Sequence, residues 1–568
     1  MTALRNRVLS PQPKGAAPGD YESGVVVSAR RREPGEPRRL PLVNVAAALA
    51  AQHELTAVER FSNLHDENAV PGRQHYRALL PLTPPRSGEQ YAFEVDLDAC
   101  TGCKACVAAC HTMNGLDGGE TFRAVGLLVG GTVDEPRLQT VTSSCHHCLE
   151  PACMSGCPVG AYEKDALTGI VRHLDDQCFG CQYCTLMCPY DAPKYNEAKG
   201  IVRKCDMCSG RLAHGEAPAC VEACPNEAIA IRVVEKAVVA AAADARHFVR
   251  GAADRDNTLP TTSFKTARAT PDNMLPVDYY RVAVSPAHAP LVAMLTLSQW
   301  AVGLTWAEAV FADSRGSVVL ASVEVGVLGV ALLASLLHLG RPWLAPRAVL
   351  GVKTSWLSRE VLAFGILMKL ALLKLGLTLL PSIPSFHGRE LVATLGGALV
   401  QVVPALGAFA VFCSVMVYVA TRRSPWSFAK TSLRFFGTTA LLGAASFLAL
   451  FNGQLDGASR ETLAHAVAAI GLLKLGFDTW LLLEARSRRF SGDKRMALAM
   501  LGPLGRVGWS RLSCLVVGAA VPLTLLASNT VSAAGLWLGT ALLLGAELAE
   551  RFLFFSAAPS LRMPGNLR

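Results

Sequence analysis

Asp98-Ala99-Cys100-Thr101-Gly102-Cys103-Lys104-Ala105-Cys106-Val107-Ala108-Ala109-Cys110 spaces its four cysteines as C-x2-C-x2-C-x3-C. The pattern returns at Cys178, Cys181, Cys184 and Cys188, closed by Pro189. Two variants complete the set. Cys145, Cys148, Cys153 and Cys157 form C-x2-C-x4-C-x3-C before Pro158; Cys205, Cys208, Cys220 and Cys224 form C-x2-C-x11-C-x3-C before Pro225. Thiolates at two-residue intervals wrap three corners of an iron–sulfur cubane, and the fourth, launched on a new helical turn, reaches a different cluster. Each group therefore shares ligands with a partner, and the clusters lie close together. These sixteen cysteines, at four per cluster, make four [4Fe–4S] clusters. Zinc ribbons use pairs of cysteines rather than triplets with a trailing Cys-Pro. Disulfides need an oxidising compartment, to which nothing in the sequence directs this segment. Cys413 and Cys514 lie in apolar runs and read as packing residues. His111, His146 and His147 adjoin the cysteines and read as solvated or backbone-bonded histidines, not ligands.

Outward from the cysteines, the 568-residue chain is too long for one core. Residues 91–235 are loop-rich and dense in Cys, Gly and Pro, so their cofactors must hold them together. Tyr91 to Asp96 alternates apolar and polar residues, which predicts a strand. Residues 1–90 read as an extension, disordered over 1–35. There, Arg38 and Arg39 precede the short apolar run Leu42 to Ala50, read as a soluble helix rather than an export signal. Residues 236–285 read as a linker that opens with an Ala-rich helix from Val238 to Ala243.

The last domain, 286–560, carries eight apolar stretches near bilayer-spanning length: 289–311, 317–338, 360–381, 391–420, 431–451, 461–484, 508–528 and 532–556. The expected fold class is α+β, a bis-ferredoxin-like [4Fe–4S] domain followed by an all-α bundle of eight transmembrane helices. A net charge of +9 suggests nucleic acid at first sight, but much of it sits in loops between apolar segments. With eight spans, fifteen Lys and Arg between Arg341 and Arg511 fall on the side of the cysteine domain, against Arg315, Arg389 and Arg460 opposite. That bias places the iron–sulfur domain in the cytoplasm and the chain in the inner membrane. Lipid is then a partner and nucleic acid is not.

The four cysteine groups resemble the iron–sulfur subunit of dimethyl-sulfoxide-reductase-type molybdoenzymes. The resemblance implies that Cys100, Cys103, Cys106 and Cys224 bind one cluster, and Cys110, Cys205, Cys208 and Cys220 a second. Cys145, Cys148, Cys153 and Cys188 would bind a third, and Cys157, Cys178, Cys181 and Cys184 a fourth. Ser335-Leu336-Leu337-His338-Leu339-Gly340-Arg341-Pro342, Ser355-Trp356-Leu357-Ser358-Arg359-Glu360 and Gly545-Ala546-Glu547-Leu548 are similar to the membrane anchor of the same enzymes. The chain thus reads as a fusion of two subunits. The resemblance implies a non-catalytic electron-transfer arm that serves a separate molybdopterin-containing catalytic subunit. It also implies a menaquinone or ubiquinone site at His338 and Glu360, with Arg341 beside them. The cytoplasmic orientation suits relatives that face inward, a sulfite-oxidising complex foremost.

The residues support the quinone reading independently, because a histidine and a carboxylate near a helix end can relay protons. The plain alternative makes His338 a helix cap and pairs Glu360 with Arg359 in water. Lys474 and Asp478 are spaced to neutralise each other, whereas Glu308, Glu324, Lys369, Lys374 and Glu547 are candidates to face the bundle interior. A polysulfide-reductase-like or non-molybdenum respiratory subunit, pumping protons through such carboxylates, is the alternative function.

Overall fold

Strand β1 (Glu89–Asp96) pairs antiparallel with β8 (Ile229–Glu235), Phe93 opposite Ile231, and so ties the two ends of the cysteine segment together. The computed structural model describes residues 78–241, 248–311, 317–380, 389–528 and 532–563. The Arg38-Arg39 run and its expected helix lie outside these residues, as do Ala242 and Ala243 at the end of the expected Ala-rich helix. Between β1 and β8 come the hairpin β2 (Ala124–Gly131) with β3 (Pro136–Ser143) and two short hairpins, β4 (Tyr162–Lys164) with β5 (Val171–His173) and β6 (Lys194–Asn196) with β7 (Ile201–Arg203). The cysteine groups occupy the turns and one-turn helices between these hairpins. One longer helix, α1 (Ala105–Met113), carries Cys106 and Cys110 on its buried side.

The matching cysteine patterns fold alike. Gly102 and Gly180 both have φ +74°, and the following Lys104 and Gln182 are also left-handed. Only glycine takes that first position without strain. The turn wraps the backbone around the space that the thiols enclose.

The stretch 236–285 is more than a linker. Its β9 (Ser263–Lys265) adds to β1 in parallel, β10 (Leu275–Pro276) adds to β2, and Phe248 and Phe264 pack with Val95 and Tyr190 in the core. Apolar alternation over two or three residues is too short to read as a strand without its partner in view.

Pro71–Arg568 is one compact unit. In its second half the described residues contain eight helices of 19 or more residues: α2 (Ala289–Phe311), α3 (Val318–Leu336), α4 (Trp356–Leu379), α5 (Arg389–Val419), α6 (Phe428–Phe451), α7 (Gly457–Leu483), α9 (Gly505–Ala527) and α10 (Ala533–Ser556). A ten-residue helix, α8 (Gly492–Leu501), lies between α7 and α9. Six of the eight are long and apolar enough to cross a membrane; α2 and α10 are the exceptions. About half or more of each is buried among neighbours, and they carry Gln299, Glu308, Glu547, Glu550 and Arg551 inward. A helix wrapped by protein does not need the uniformly apolar surface that lipid demands. Where α2 crosses α6, a Cβ on Gly303 would stand 2.9 Å from the Gly443 Cα, so glycines allow this close approach.

The buried charges pair, though not all as the spacing suggests. Lys374 binds Glu308 and also Glu324, the latter at 2.8 Å. Lys474 binds Glu547 at 2.7 Å, whereas Asp478 pairs with Arg511, because i,i+4 neighbours on α7 turn to different helices. Lys369 is exposed on the outer face of α4. Arg434 and Arg511, counted as loop charges from the sequence, are buried in the bundle with acidic partners.

Removing one member of the α2–α3–α4 trio strands the others. Lys374→Met should destabilise the purified protein by about 3–5 kcal/mol, seen as a lowered thermal midpoint in detergent. An unchanged midpoint would mean that the two carboxyls share a proton and need no cation.

Candidate functional site

The thiols converge across the sequence. Cys100, Cys103, Cys106 and Cys224 line one cavity; Cys145, Cys148, Cys153 and Cys188 line another. In the remaining two sets, Cys110 interacts electrostatically with Cys208 and Cys220, and Cys181 with Cys157 and Cys178. No disulfide forms among the cysteines. Among the described residues no three His, Cys, Asp or Glu side chains come close enough to hold a single metal ion. Thiols set around a cavity suit a multi-iron cluster rather than a mononuclear zinc site.

Burial, with repulsion from neighbouring sulfurs, pushes several of these thiols up, Cys110 to about 12 and Cys188 to about 11. A site that so disfavours thiolates on their own is suited to thiolates neutralised by iron.

The sets follow one another in space. Cys106 and Cys110 share α1, and Cys205 lies within electrostatic reach of both Cys110 and Cys145. Cys184 lies within reach of both Cys181 and Cys153. The order runs from Cys100 and its neighbours to the set around Cys181.

That last set meets the membrane half. The Gly340 backbone packs against Gly180 and Gly200, and the Arg341 amide donates to the Phe179 carbonyl at 3.0 Å. The Gly351 amide donates to Pro158 O at 2.7 Å, the Ser355 hydroxyl to Gly156 O at 2.7 Å, and the Tyr183 hydroxyl to Val417 O at 2.7 Å. Backbone carbonyls beside Cys157 and Cys178 are thus satisfied by the loop between α3 and α4, and the Tyr183 hydroxyl beside Cys184 satisfies a carbonyl of α5.

A cavity of about 1090 Å³ lies at this junction. Cys181, Gln182 and Tyr183 form part of its wall; Leu291, Leu295, Leu332, Phe364, Met368, Tyr418 and Trp426 supply an apolar lining. Leu333 and Leu336 of α3 and Val361 of α4 line it and are exposed. Cavities of this size and character take small organic ligands.

His338 and Glu360 both line it. His338 Nε2 donates to the Cys181 carbonyl at 3.1 Å, which leaves Nδ1 as the acceptor of a neutral ring. Glu360 is buried and accepts from the Ser414 hydroxyl at 2.5 Å. Its neighbour Arg359 turns away to the Val352 and Lys353 carbonyls and stacks over Trp356, so the pair does not form in water. Arg341 does not line the cavity; its guanidinium donates to the Asp175 carbonyl on the iron–sulfur side.

Sequence reasoning missed His288, whose ring meets that of His338 edge-on at 4.8 Å, and missed Ser414 and Tyr418. None carries a local motif. Of the histidines beside the cysteines, His147 Nδ1 accepts from the Val171 amide at 3.1 Å, while His146 is enclosed by Tyr190, Phe248 and Phe264 with no hydrogen-bond partner on either nitrogen.

Two family profiles match the protein. One, described as a 4Fe-4S dicluster domain, covers residues 137–234; the other, described as DMSO reductase anchor subunit (DmsC), covers 288–557. The B subunit of anaerobic dimethyl sulfoxide reductase from Escherichia coli K12 is 42% identical over 148 residues, 25% of this protein and 72% of that subunit. Its counterpart from Haemophilus influenzae is 40% identical over 150 residues, 25% of this protein and 73% of that one. The hydrogenase-2 operon protein HybA of Escherichia coli O157:H7 is 35% identical over 188 residues, 28% of this protein and 56% of HybA.

Proposed function

Because the protein belongs to the anaerobic dimethyl sulfoxide reductase family, joining an iron–sulfur B subunit to a DmsC-type anchor, we propose that it conducts electrons through four [4Fe–4S] clusters between a separate molybdopterin-containing subunit and a membrane quinone. The observation that carries this reading is the apolar cavity with Cys181 on one wall and His338 and Glu360 on the others. The four cysteine sets named above are the ligands. The clusters supply one-electron carriers in series; the protein supplies their spacing and the proton chemistry at the end.

Quinol oxidation releases two electrons and two protons, and reduction takes up the same. His338 Nδ1 takes the proton of one quinol hydroxyl, its ring held through Nε2 by the Cys181 carbonyl. Glu360 takes the proton of the other, in a site where no cation within ion-pair distance among the described residues holds it ionised. Quinone enters sideways between α3 and α4.

All eight long helices cross the bilayer. With Arg434 and Arg511 removed from the count, thirteen basic residues still flank the iron–sulfur side against three opposite. That asymmetry supports a cytoplasmic iron–sulfur domain and proton exchange on that side, as an inward-facing sulfite-oxidising complex would use.

Purification of the intact protein from native membranes should yield about sixteen irons per molecule and one molybdenum on a large co-purifying subunit. A reporter fused after Arg568 should be active in the cytoplasm. Iron without molybdenum or tungsten would overturn the assignment of the partner; a reporter active only outside would overturn the orientation.

A further inference from the structure

Two cations are buried among the cysteines with no carboxylate to pair with among the described residues. Arg123, 1% exposed, stands just before β2. Its guanidinium donates to the Thr142 hydroxyl at 3.2 Å and the Ser144 hydroxyl at 3.0 Å, and lies 4.7 Å from the centre of the Phe93 ring. Its Nε has no partner. The sulfurs within its electrostatic reach include those of Cys220, Cys106, Cys205 and Cys110, which belong to two different sets. Thr142 also touches the Cys106 sulfur at 3.5 Å.

Lys204, 5% exposed, stands just after β7. Its Nζ donates to the Cys205 carbonyl at 2.7 Å and to the Val171 carbonyl, and reaches the Cys145 sulfur at 3.5 Å. It also helps to line the cavity of the Cys145, Cys148, Cys153 and Cys188 set.

A fully buried charge without a counter-ion is expensive, and proteins keep one only where something opposes it. Among the described residues, the groups that can oppose these charges are cysteine sulfurs, within electrostatic reach of Arg123 and 3.5 Å from Lys204 Nζ. Asp206, two residues along the chain from Lys204, is spent on the Cys208 amide and the Ser209 hydroxyl. The set facing the membrane differs. Its basic neighbour, Arg341, is half-exposed and donates to the Asp175 carbonyl, so solvent screens it.

We propose that Arg123 and Lys204 are fixed counter-charges that raise the reduction potentials of the three clusters remote from the membrane relative to the one at Cys181. The proposal rests on the ligand sets assigned under the proposed function. A cluster gains one negative charge on reduction, so a nearby cation stabilises the reduced form more than the oxidised one. Arg123 acts on the first and second sets, and Lys204 on the second and third. Both are positioning residues; neither donates nor accepts an electron.

The test is an EPR-monitored redox titration of the full-length protein in membranes, with iron measured on each preparation. Wild type should show about sixteen irons and four resolvable midpoints; fewer would sink the ligand assignment and leave the counter-charge idea without a site. Against that background, Arg123→Met and Lys204→Met should each shift at least one midpoint to lower potential. The midpoint of the cluster at Cys181 should stay in place, and Arg123→Lys and Lys204→Arg should restore the shifted ones. Should a Met variant lose iron, recovery of both iron and midpoint by the charge-conserving variant, but not by Gln at the same position, supports the proposal. Unshifted midpoints with iron retained, or loss of iron that the charge-conserving variant does not repair, would overturn it.

Discussion

Glu360→Gln should slow quinol-driven reduction of the iron–sulfur centres by about 10²-fold or more, the range lost when a positioned proton acceptor is removed. Glutamine keeps the side-chain volume, and its carbonyl can still accept from Ser414, now at 2.5 Å from the carboxylate. What it loses is the capacity to take a proton. Iron content should be unchanged, because Glu360 lies on α4 and, among the described residues, bonds Ser414 rather than a cluster cysteine. The measurement is the rate of visible bleaching after mixing oxidised membranes with a quinol, which needs no knowledge of the catalytic partner's substrate. Glu360→Asp should retain part of the rate. A normal rate in the Gln variant would remove Glu360 from the proton path and leave His338 to serve alone.

The second large effect concerns docking. Gly340→Val should uncouple quinol oxidation from the clusters while leaving their iron in place. A Cβ on Gly180 would stand 2.9 Å from the Gly340 nitrogen, and one on Gly200 2.7 Å from its carbonyl oxygen, so three backbones touch where side chains would normally separate them. Gly180 and Gly200 are themselves left-handed, and backbone cannot yield as a flexible side chain does. A branched side chain at 340 therefore costs about 1–3 kcal/mol or more of overpacking and pushes the Cys181 loop from His338. The signature is full iron, a lost quinol-linked rate, and clusters that a soluble reductant still reduces. Gly340→Ala should fall between Val and wild type. If Val retained the rate, the electron route would not pass through this contact.

The four cysteine groups were legible because cluster ligation imposes short, rigid spacings that survive without any view of the fold. The long helices were legible for the same kind of reason, since lipid constrains each residue on its own. The pairing of Lys474 with Glu547, rather than Asp478, was not legible: helical spacing says which residues share a face, not which helix that face meets. His288 and Ser414 carry no pattern around them and become part of a site only through contacts with His338 and Glu360. The strands Ser263–Lys265 and Leu275–Pro276 are too short for any periodicity to register.

From the amino-acid order alone came the number and grouping of the thiols, the division into a cysteine-rich and an apolar half, and the candidates His338 and Glu360. Each of these is a local property, set by ligand spacing, by hydropathy or by a short motif. Tertiary structure alone decided that His338 bonds the Cys181 carbonyl, that Glu360 faces an apolar cavity while Arg341 does not, and that Arg123 and Lys204 are buried against sulfur. Those facts depend on which distant segments share a volume, and burial and electrostatic environment exist only once the chain has closed on itself.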